Sequence, residues 1–294
     1  LIVGILKSIS ENKDQQSDEH LWVTVEDGGK IELAGWRTPP FDYGLWSPKI
    51  ETTQALQCFI NFLETEGMDI VGAVGKPALV ESYTALAMPR FGLENTLMPL
   101  GRNFLEVVAP VKPNTAAGRY LERRSGNGGY MVITQADSKA TQLAARARAL
   151  DTSIRIAHET EREDWHLIQF HPGDLEAAFL EIETDAHNDF EGHWMPVGGG
   201  GWESAIDQSR TLDFVGVELQ SHDPEALANK WAGVIGSTVI EDNGKRYLTL
   251  NNARLYFTAI QDDRGPGLSG LHIAVADAAA IQETATLRGC KVGD

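Results

Sequence analysis

Two stretches, Asn103-Phe-Leu-Glu-Val-Val-Ala109 and Ala178-Phe-Leu-Glu-Ile-Glu183, decide how this chain folds. Successive side chains of a strand point to opposite faces, so each stretch sorts into two sets. In the first, Phe104, Glu106 and Val108 share one face, and Leu105 and Val107 the other. In the second, Phe179, Glu181 and Glu183 oppose Leu180 and Ile182. The aliphatic sets belong against helices, which turns Glu106 and Glu181 the other way. A carboxylate on an inner strand face is costly unless it is solvated, paired or bound to a metal. Two in equivalent positions point to a cavity.

Outward from these strands the pattern repeats. Ahead of the second stretch, Tyr130–Gln135 reads as a strand, and Asp137 or Ser138 caps a helix with Ala140, Leu143, Ala144, Ala147 and Leu150 as its apolar stripe. Ser153–Glu159 and Trp165–His171 are paired strands, so the unit reads βαβββ. Ahead of the first stretch the same order is expected from a strand over Met68–Val74, a helix over Pro77–Ala87 and a strand over Arg90–Leu97. A third copy runs from Leu212–Gln220 through a helix opening at Asp223-Pro224 to strands at Ser237–Ile240, Arg246–Leu250 and Arg254–Gln261. A fourth begins at Gly270–Ala276, with Asp277 capping a helix. Units of this length, each a half-open sheet with one helix, need neighbours to bury their faces.

This periodicity divides the chain into an unplaced N-terminal segment over 1–65, holding a hairpin around Asp27-Gly-Gly29 and a helix over Thr53–Glu66. Two βαβββ units follow over 66–190, then a Gly-rich linker over 191–210, and a second, degenerate domain over 211–294 that reads as truncated. Tryptophans at 22, 36 and 46 are expected to pack rather than bind.

Composition removes several function classes. The 294 residues carry 42 acidic against 25 basic side chains, a net charge of −17. That balance disfavours nucleic acid and anionic membrane surfaces, which need clustered Lys and Arg. No apolar run is long enough to span a membrane. Two cysteines, Cys58 and Cys290, form no metal-type pair, and the expected compartment is the reducing cytoplasm. No G-x-S-x-G motif occurs, and Gly198–Gly201 lacks the Lys-Ser/Thr of a phosphate loop.

The segments Phe91-Gly-Leu-Glu-Asn95, Gly101–Pro110, Gly118-Arg-Tyr-Leu-Glu-Arg-Arg124, Gly128-Gly-Tyr-Met-Val-Ile133, His171-Pro172 and Phe179–Ile182 resemble the vicinal oxygen chelate superfamily, the glyoxalase/bleomycin-resistance/dioxygenase fold. They are especially similar to bacterial glyoxalase-like proteins. Val217–Pro224 and Leu271–Asp277 extend the likeness. The resemblance implies an α+β fold in which tandem βαβββ units pair into cupped mixed sheets with helices outside. It also implies a divalent metal ion in the cup, held from the first and last strands of each unit.

Carried over residue by residue, Glu106 and Glu181 match the last-strand carboxylate ligands. The first-strand histidine has no counterpart: its place falls near Tyr130 in the second unit and on Gly270 in the fourth. Carboxylates without imidazole suit harder ions such as magnesium or calcium. His171 is a further candidate ligand or proton carrier, and Tyr130 a hydrogen-bond donor to a ligand oxygen. Arg119, Arg123 and Arg124, in a glycine-bounded connector, and Asn95 are candidate substrate contacts.

The function expected is a metal-assisted lyase or isomerase acting on a small metabolite with vicinal oxygens, Glu106 and Glu181 serving as ligands or base. The alternative is a non-catalytic binding or resistance module with the same fold. Ring-cleaving dioxygenase is disfavoured, because Leu255–Ile260, the matching strand of the C-terminal pair, carries no acid. The partner expected is a small molecule, with both monomer and homodimer compatible with four units.

Overall fold

The computed structural model describes residues 2–6, 22–24, 30–32, 93–110, 112–124, 126–162, 165–187, 206–287, 290 and 292–293. The helices expected over Thr53–Glu66 and Pro77–Ala87, the strand over Met68–Val74 and the glycine run at 198–201 lie outside these residues.

The second unit forms as its pattern requires. Strand β6 (Gly128–Gln135) leads through a helix, Lys139–Asp151, into β7 (Ile156–Glu161), β8 (Trp165–Phe170) and β9 (Phe179–Asp185). β6 and β9 are parallel neighbours, and β8 and then β7 follow antiparallel. The third unit repeats this arrangement. β10 (Thr211–Ser221) runs parallel to β13 (Arg254–Ala259), flanked in turn by β12 (Lys245–Thr249) and β11 (Ile240–Asp242).

In the first unit, β4 (Leu93–Leu100) and β5 (Asn103–Pro110) form a hairpin closed at Gly101, whose φ of +60° favours glycine. The place parallel to β5 is taken by β1 (Ile2–Leu6), with Gly4 opposite Glu106. That strand comes from the stretch that the sequence pattern left unplaced. The expected hairpin around Asp27-Gly-Gly29 is present as β2 (Trp22–Thr24) and β3 (Lys30–Glu32). β14 (Gly267–Val275) opens the fourth unit, pairs with β10 and β2, and touches β6 at Leu268. The short β15 (Val292–Gly293) joins β3. The result is an α+β protein whose strands form one connected mixed sheet.

Five helices are described: α1 (Ala116–Arg124), α2 (Lys139–Asp151), α3 (Pro172–Leu175), α4 (Pro224–Ile235) and α5 (Ala278–Leu287). α2, α4 and α5 cover one face of the sheet. There Leu105, Val107, Val132, Leu180, Ile182, Leu219, Leu255 and Phe257 join the main core. The sequence pattern alone makes the α1 stretch a connector. It is a helix because Ala117, Tyr120 and Leu121 bury one side at helical spacing and the Thr115 hydroxyl accepts from Gly118 N–H at its start. Unlike the others it lies on the opposite face, against Phe104, Val108, Tyr130, Met131 and Ile133.

The apolar stripe expected on α2 is not its buried side. Leu143 and Leu150 are 42% and 48% exposed, whereas Gln142, Ala145 and Ala149 face the sheet. The Gln142 amide explains the choice. It donates to the carbonyls of His166 and Ile182 and accepts from the Thr184 hydroxyl, all buried. Small residues beside it let the helix lie close. Ser138 does cap α2 as expected, accepting from Thr141 N–H.

α4 is anchored differently, by a fully buried Trp231 that stacks edge-on to Phe257 and donates its indole N–H to Leu175 O. Arg148 of α2 donates to the carbonyls of Gly233, Val234 and Ile235 at the end of α4, placing a cation at the negative pole of that helix. Together these contacts lock the second and third units side by side.

Candidate functional site

The face opposite α2 and α4 holds the polar groups. On β5, Leu105 and Val107 enter the main core, and Phe104 and Val108 enter the smaller cluster against α1, so Glu106 between them shares the α1 side. On β9, Leu180 and Ile182 face the helices, which places Phe179, Glu181, Glu183 and Asp185 on the other side, as alternation predicts. Glu106, Glu181 and Glu183 are each no more than 6% exposed.

The three carboxylates sense one another. Burial pushes the Glu181 carboxyl up, opposed by hydrogen bonds from Glu183 and Gln169 and by the positive charge available on His158. Burial lifts Glu183 well above the ordinary carboxylate value, and the charges of Glu181 and Glu106 lift it further. Of the two, Glu183 is raised the more strongly. Between β9 and β5 lie β6 and β1, three strand spacings of about 4.8 Å each. Across that span Glu106 still adds to the upward push on Glu183.

Around the acids stand β8 and β7. Gln169, opposite Glu181, donates to its Oε2. The indole N–H of Trp165 is buried without a hydrogen-bond partner of standard geometry, yet lies close enough to Glu183 to favour its ionised form. His158, opposite Gln169, has its Nε2 2.7 Å from the Thr160 hydroxyl.

Tyr130 sits with this group, but not by simple alternation. The pairing of β1 with β6 slips between Gly4 and Ile5, and this bulge puts Tyr130 on the same side as Met131 and Ile133 rather than beside Val132. Its ring packs edge-on against Tyr120 and Phe179, with centroids 5.1 and 5.0 Å away. Burial, then Tyr120 and, more weakly, Glu181 push its phenol far up, so it is a hydrogen-bond donor at neutral pH. Arg123 and Arg119, both exposed on α1, are near enough to oppose that shift.

The remaining candidates are placed elsewhere. His171 caps α3, accepting from Gly173 N–H, with Arg155 Nη2 3.3 Å from its Nδ1; these contacts hold it at that outer corner, and the structure does not bring it to Glu181. Pro172 starts a helical turn that carries the chain away before β9 returns. Arg124 donates to Pro266 O and lies over the Tyr120 ring, tying α1 to β14. Asn95 is paired with Val108 across the β4–β5 hairpin.

Three members of the cup, Glu183, Gln169 and Trp165, were not among the site residues expected from sequence. Alternation already placed Glu183 beside Glu181; Gln169 and Trp165 become visible only once the β8–β9 register is known.

The divalent ion implied by the resemblance does not match this donor set. Among the described residues no group of three His, Cys, Asp or Glu side chains is arranged to hold a metal. One oxygen of Glu181, Oε2, is already taken by the Gln169 amide. What this arrangement offers is two buried carboxyls whose affinity for a proton is raised, beside an aromatic wall.

A mixed sheet built from βαβββ units, with its acids on the face away from the main helices, is the architecture of the vicinal oxygen chelate class. Residues 83–235 match the glyoxalase-like domain, about half of the chain, and the protein belongs to that family. None of the curated proteins matches the sequence. Among solved structures, a hypothetical protein from Staphylococcus aureus is similar at 10% identity with a TM-score of 0.45, covering 63% of this chain and 86% of that one. A 4-hydroxymandelate synthase mutant from Streptomyces coelicolor is similar at 14% identity and a TM-score of 0.43, over 68% and 65% of the two chains. The methylmalonyl-CoA epimerase from Mycobacterium tuberculosis is similar at 13% identity and a TM-score of 0.35, over 63% and 86%. Among the described residues no helix is long and apolar enough to cross a membrane.

Proposed function

We propose that this protein is a lyase or isomerase of small metabolites with vicinal oxygens, and that its chemistry is proton transfer within the cup. The observation that carries this reading is the pair of buried carboxyls, Glu181 and Glu183, side by side on one face of β9. Two carboxyls in one desolvated site cannot both ionise readily, so one is kept as an acid while the other remains a base. Glu181 would take the proton next to a carbonyl, and Glu183 would deliver one to the oxygen where charge develops. Tyr130, held neutral by burial, would donate a hydrogen bond to that oxygen, and Arg119 and Arg123 would draw an anionic ligand towards the rim.

Members of this superfamily commonly use divalent metals, but each step above uses only the chain's own side chains. Proton exchange into dihydroxyacetone and 2-oxobutyrate in D2O, followed by NMR, tests the reading. Enzyme-accelerated deuterium uptake next to the carbonyl, reduced at least about a hundredfold (about 2.7 kcal/mol) by Glu181→Gln, is the expected result. Elemental analysis of the same preparations is expected to show no metal that disappears on Glu106→Gln.

The second reading is a binding module without chemistry. It is favoured by the apolar half of the cup, where Phe104, Val108, Tyr120, Tyr130, Met131 and Ile133 form one cluster. A ligand bound tightly and recovered without deuterium would decide for it and against proton transfer.

A further inference from the structure

α2 turns its most apolar side outward. Ala140, Leu143, Ala144, Ala147 and Leu150 recur at helical spacing and all five are exposed, while the sheet side of the helix is built on Gln142, Ala145 and Ala149. Leu143 and Leu150 are two of the five exposed large hydrophobic side chains among the described residues, and neither joins a core cluster. Single exposed leucines are ordinary on a protein surface. A continuous apolar stripe along one helix marks a face that packs against something.

The stripe is complementary to itself. Positions 140 and 150, and likewise 143 and 147, lie at equal distances on either side of position 145. A two-fold axis crossing the helix there sets a second α2 antiparallel to the first, with Leu143 beside the partner's Ala147 and Leu150 beside the partner's Ala140. Each large side chain then meets a small one, which lets the two helices approach closely. A foreign helix would have to supply this alternation, whereas a second copy already carries it.

The charges agree with this pairing. Lys139 and Asp151, the exposed first and last residues of α2, are centred on the same position, so the axis brings each Lys139 to the end that holds the partner's Asp151. Along one flank Lys139 holds Glu161 and Arg146 holds Glu159, which keeps that edge neutral although the chain carries a net charge of −17. The 13 residues of α2 span about 20 Å. One helix pair of that length covers less than the roughly 1,200 Å² at the low end of stable interfaces, so the association is a weak one, in the micromolar range or above.

We propose that the outer face of α2 is a docking surface for a second copy of this chain, the two α2 helices packing antiparallel about a two-fold axis. The acids of β5 and β9 lie on the other side of the sheet from α2, so both cups point away from the contact. The contact is independent of whatever chemistry the cup performs.

Sedimentation equilibrium of the full chain from about 5 to about 500 µM tests the contact, and a reversible monomer–dimer equilibrium is expected within that range. Leu143→Glu combined with Leu150→Glu should raise the dissociation constant at least about tenfold without lowering the melting temperature of dilute protein, since both side chains are exposed. Ala147→Leu, which fills the small side of the fit and adds no charge, should also weaken the dimer. Ala140→Cys and Leu150→Cys proteins, mixed under oxidising conditions, should form a disulfide joining positions 140 and 150, identified by mass spectrometry, while Leu150→Cys protein alone should form no 150–150 link. A monomer at every concentration would assign the stripe to a different protein and overturn the proposal. So would a dimer indifferent to the two glutamates, which uses another face, or a 150–150 link in place of the 140–150 one, which makes the helices parallel.

Discussion

Across β6 and β9 the registered pairs are Met131 with Phe179, Ile133 with Glu181 and Gln135 with Glu183. Across β10 and β13 the corresponding pairs are Gly216 with Arg254, Glu218 with Tyr256 and Gln220 with Thr258. The backbone frame is the same, with parallel first and last strands and a helix between. The chemistry is inverted: the acids stand on the last strand of one unit and on the first strand of the next. A shared frame therefore determines which positions face inward and leaves the ionisable groups to be chosen position by position. The helices repeat the lesson, since α2 is held by an amide in its first turn and α4 by an indole past its middle.

The strongest test of that contrast is to remove each anchor. Trp231→Ala should cost about 3–5 kcal/mol, the usual range for emptying a large aromatic site, read as a shift in the urea midpoint. A loss below about 1 kcal/mol would mean that α4 does not depend on this ring. Gln142→Leu removes the partner of two buried carbonyls and a hydroxyl while keeping bulk, and should cost about 1–3 kcal/mol or more. If Gln142→Leu instead stabilised the protein, apolar burial would outweigh the polar anchor and the two helices would be held alike.

Glu183→Gln should have the smallest effect, and its size depends on pH. A carboxyl whose folded value is raised gives up stability as pH climbs from its unfolded value, near 4.5, through the folded one. The amide cannot ionise and can still donate to Glu181. The variant should match the parent in acid and become progressively more stable than it at higher pH, seen as diverging melting temperatures. Parallel pH profiles would show that Glu183 is ionised like any exposed acid.

Much of this frame was legible before the fold was known. Asp223-Pro224 and Gly236 bracket α4 because an N-cap, a first-turn proline and a left-handed glycine each act locally. The inward direction of Glu106 and Glu181 followed from alternation alone. What escaped depends on tertiary partners. Leu143 and Leu150 out-rank Gln142 on any hydrophobic scale, and only the carbonyls of His166 and Ile182 reverse the ranking. Tyr130 changes side through a bulge formed opposite β1, a strand more than a hundred residues away in sequence. His171 stands ten residues before Glu181 in the chain, yet Pro172 redirects the backbone between them.

Arg148 bears on how the chain comes apart. Arrays of repeated units ordinarily allow one repeat to open while its neighbours stand, because each contact is local to an interface. Here the last turn of α4 cannot fray without stripping a guanidinium that belongs to the preceding repeat. Amide protons at the end of α4 should then exchange with solvent only as slowly as those in the centre of α2, so that the two repeats melt as one block.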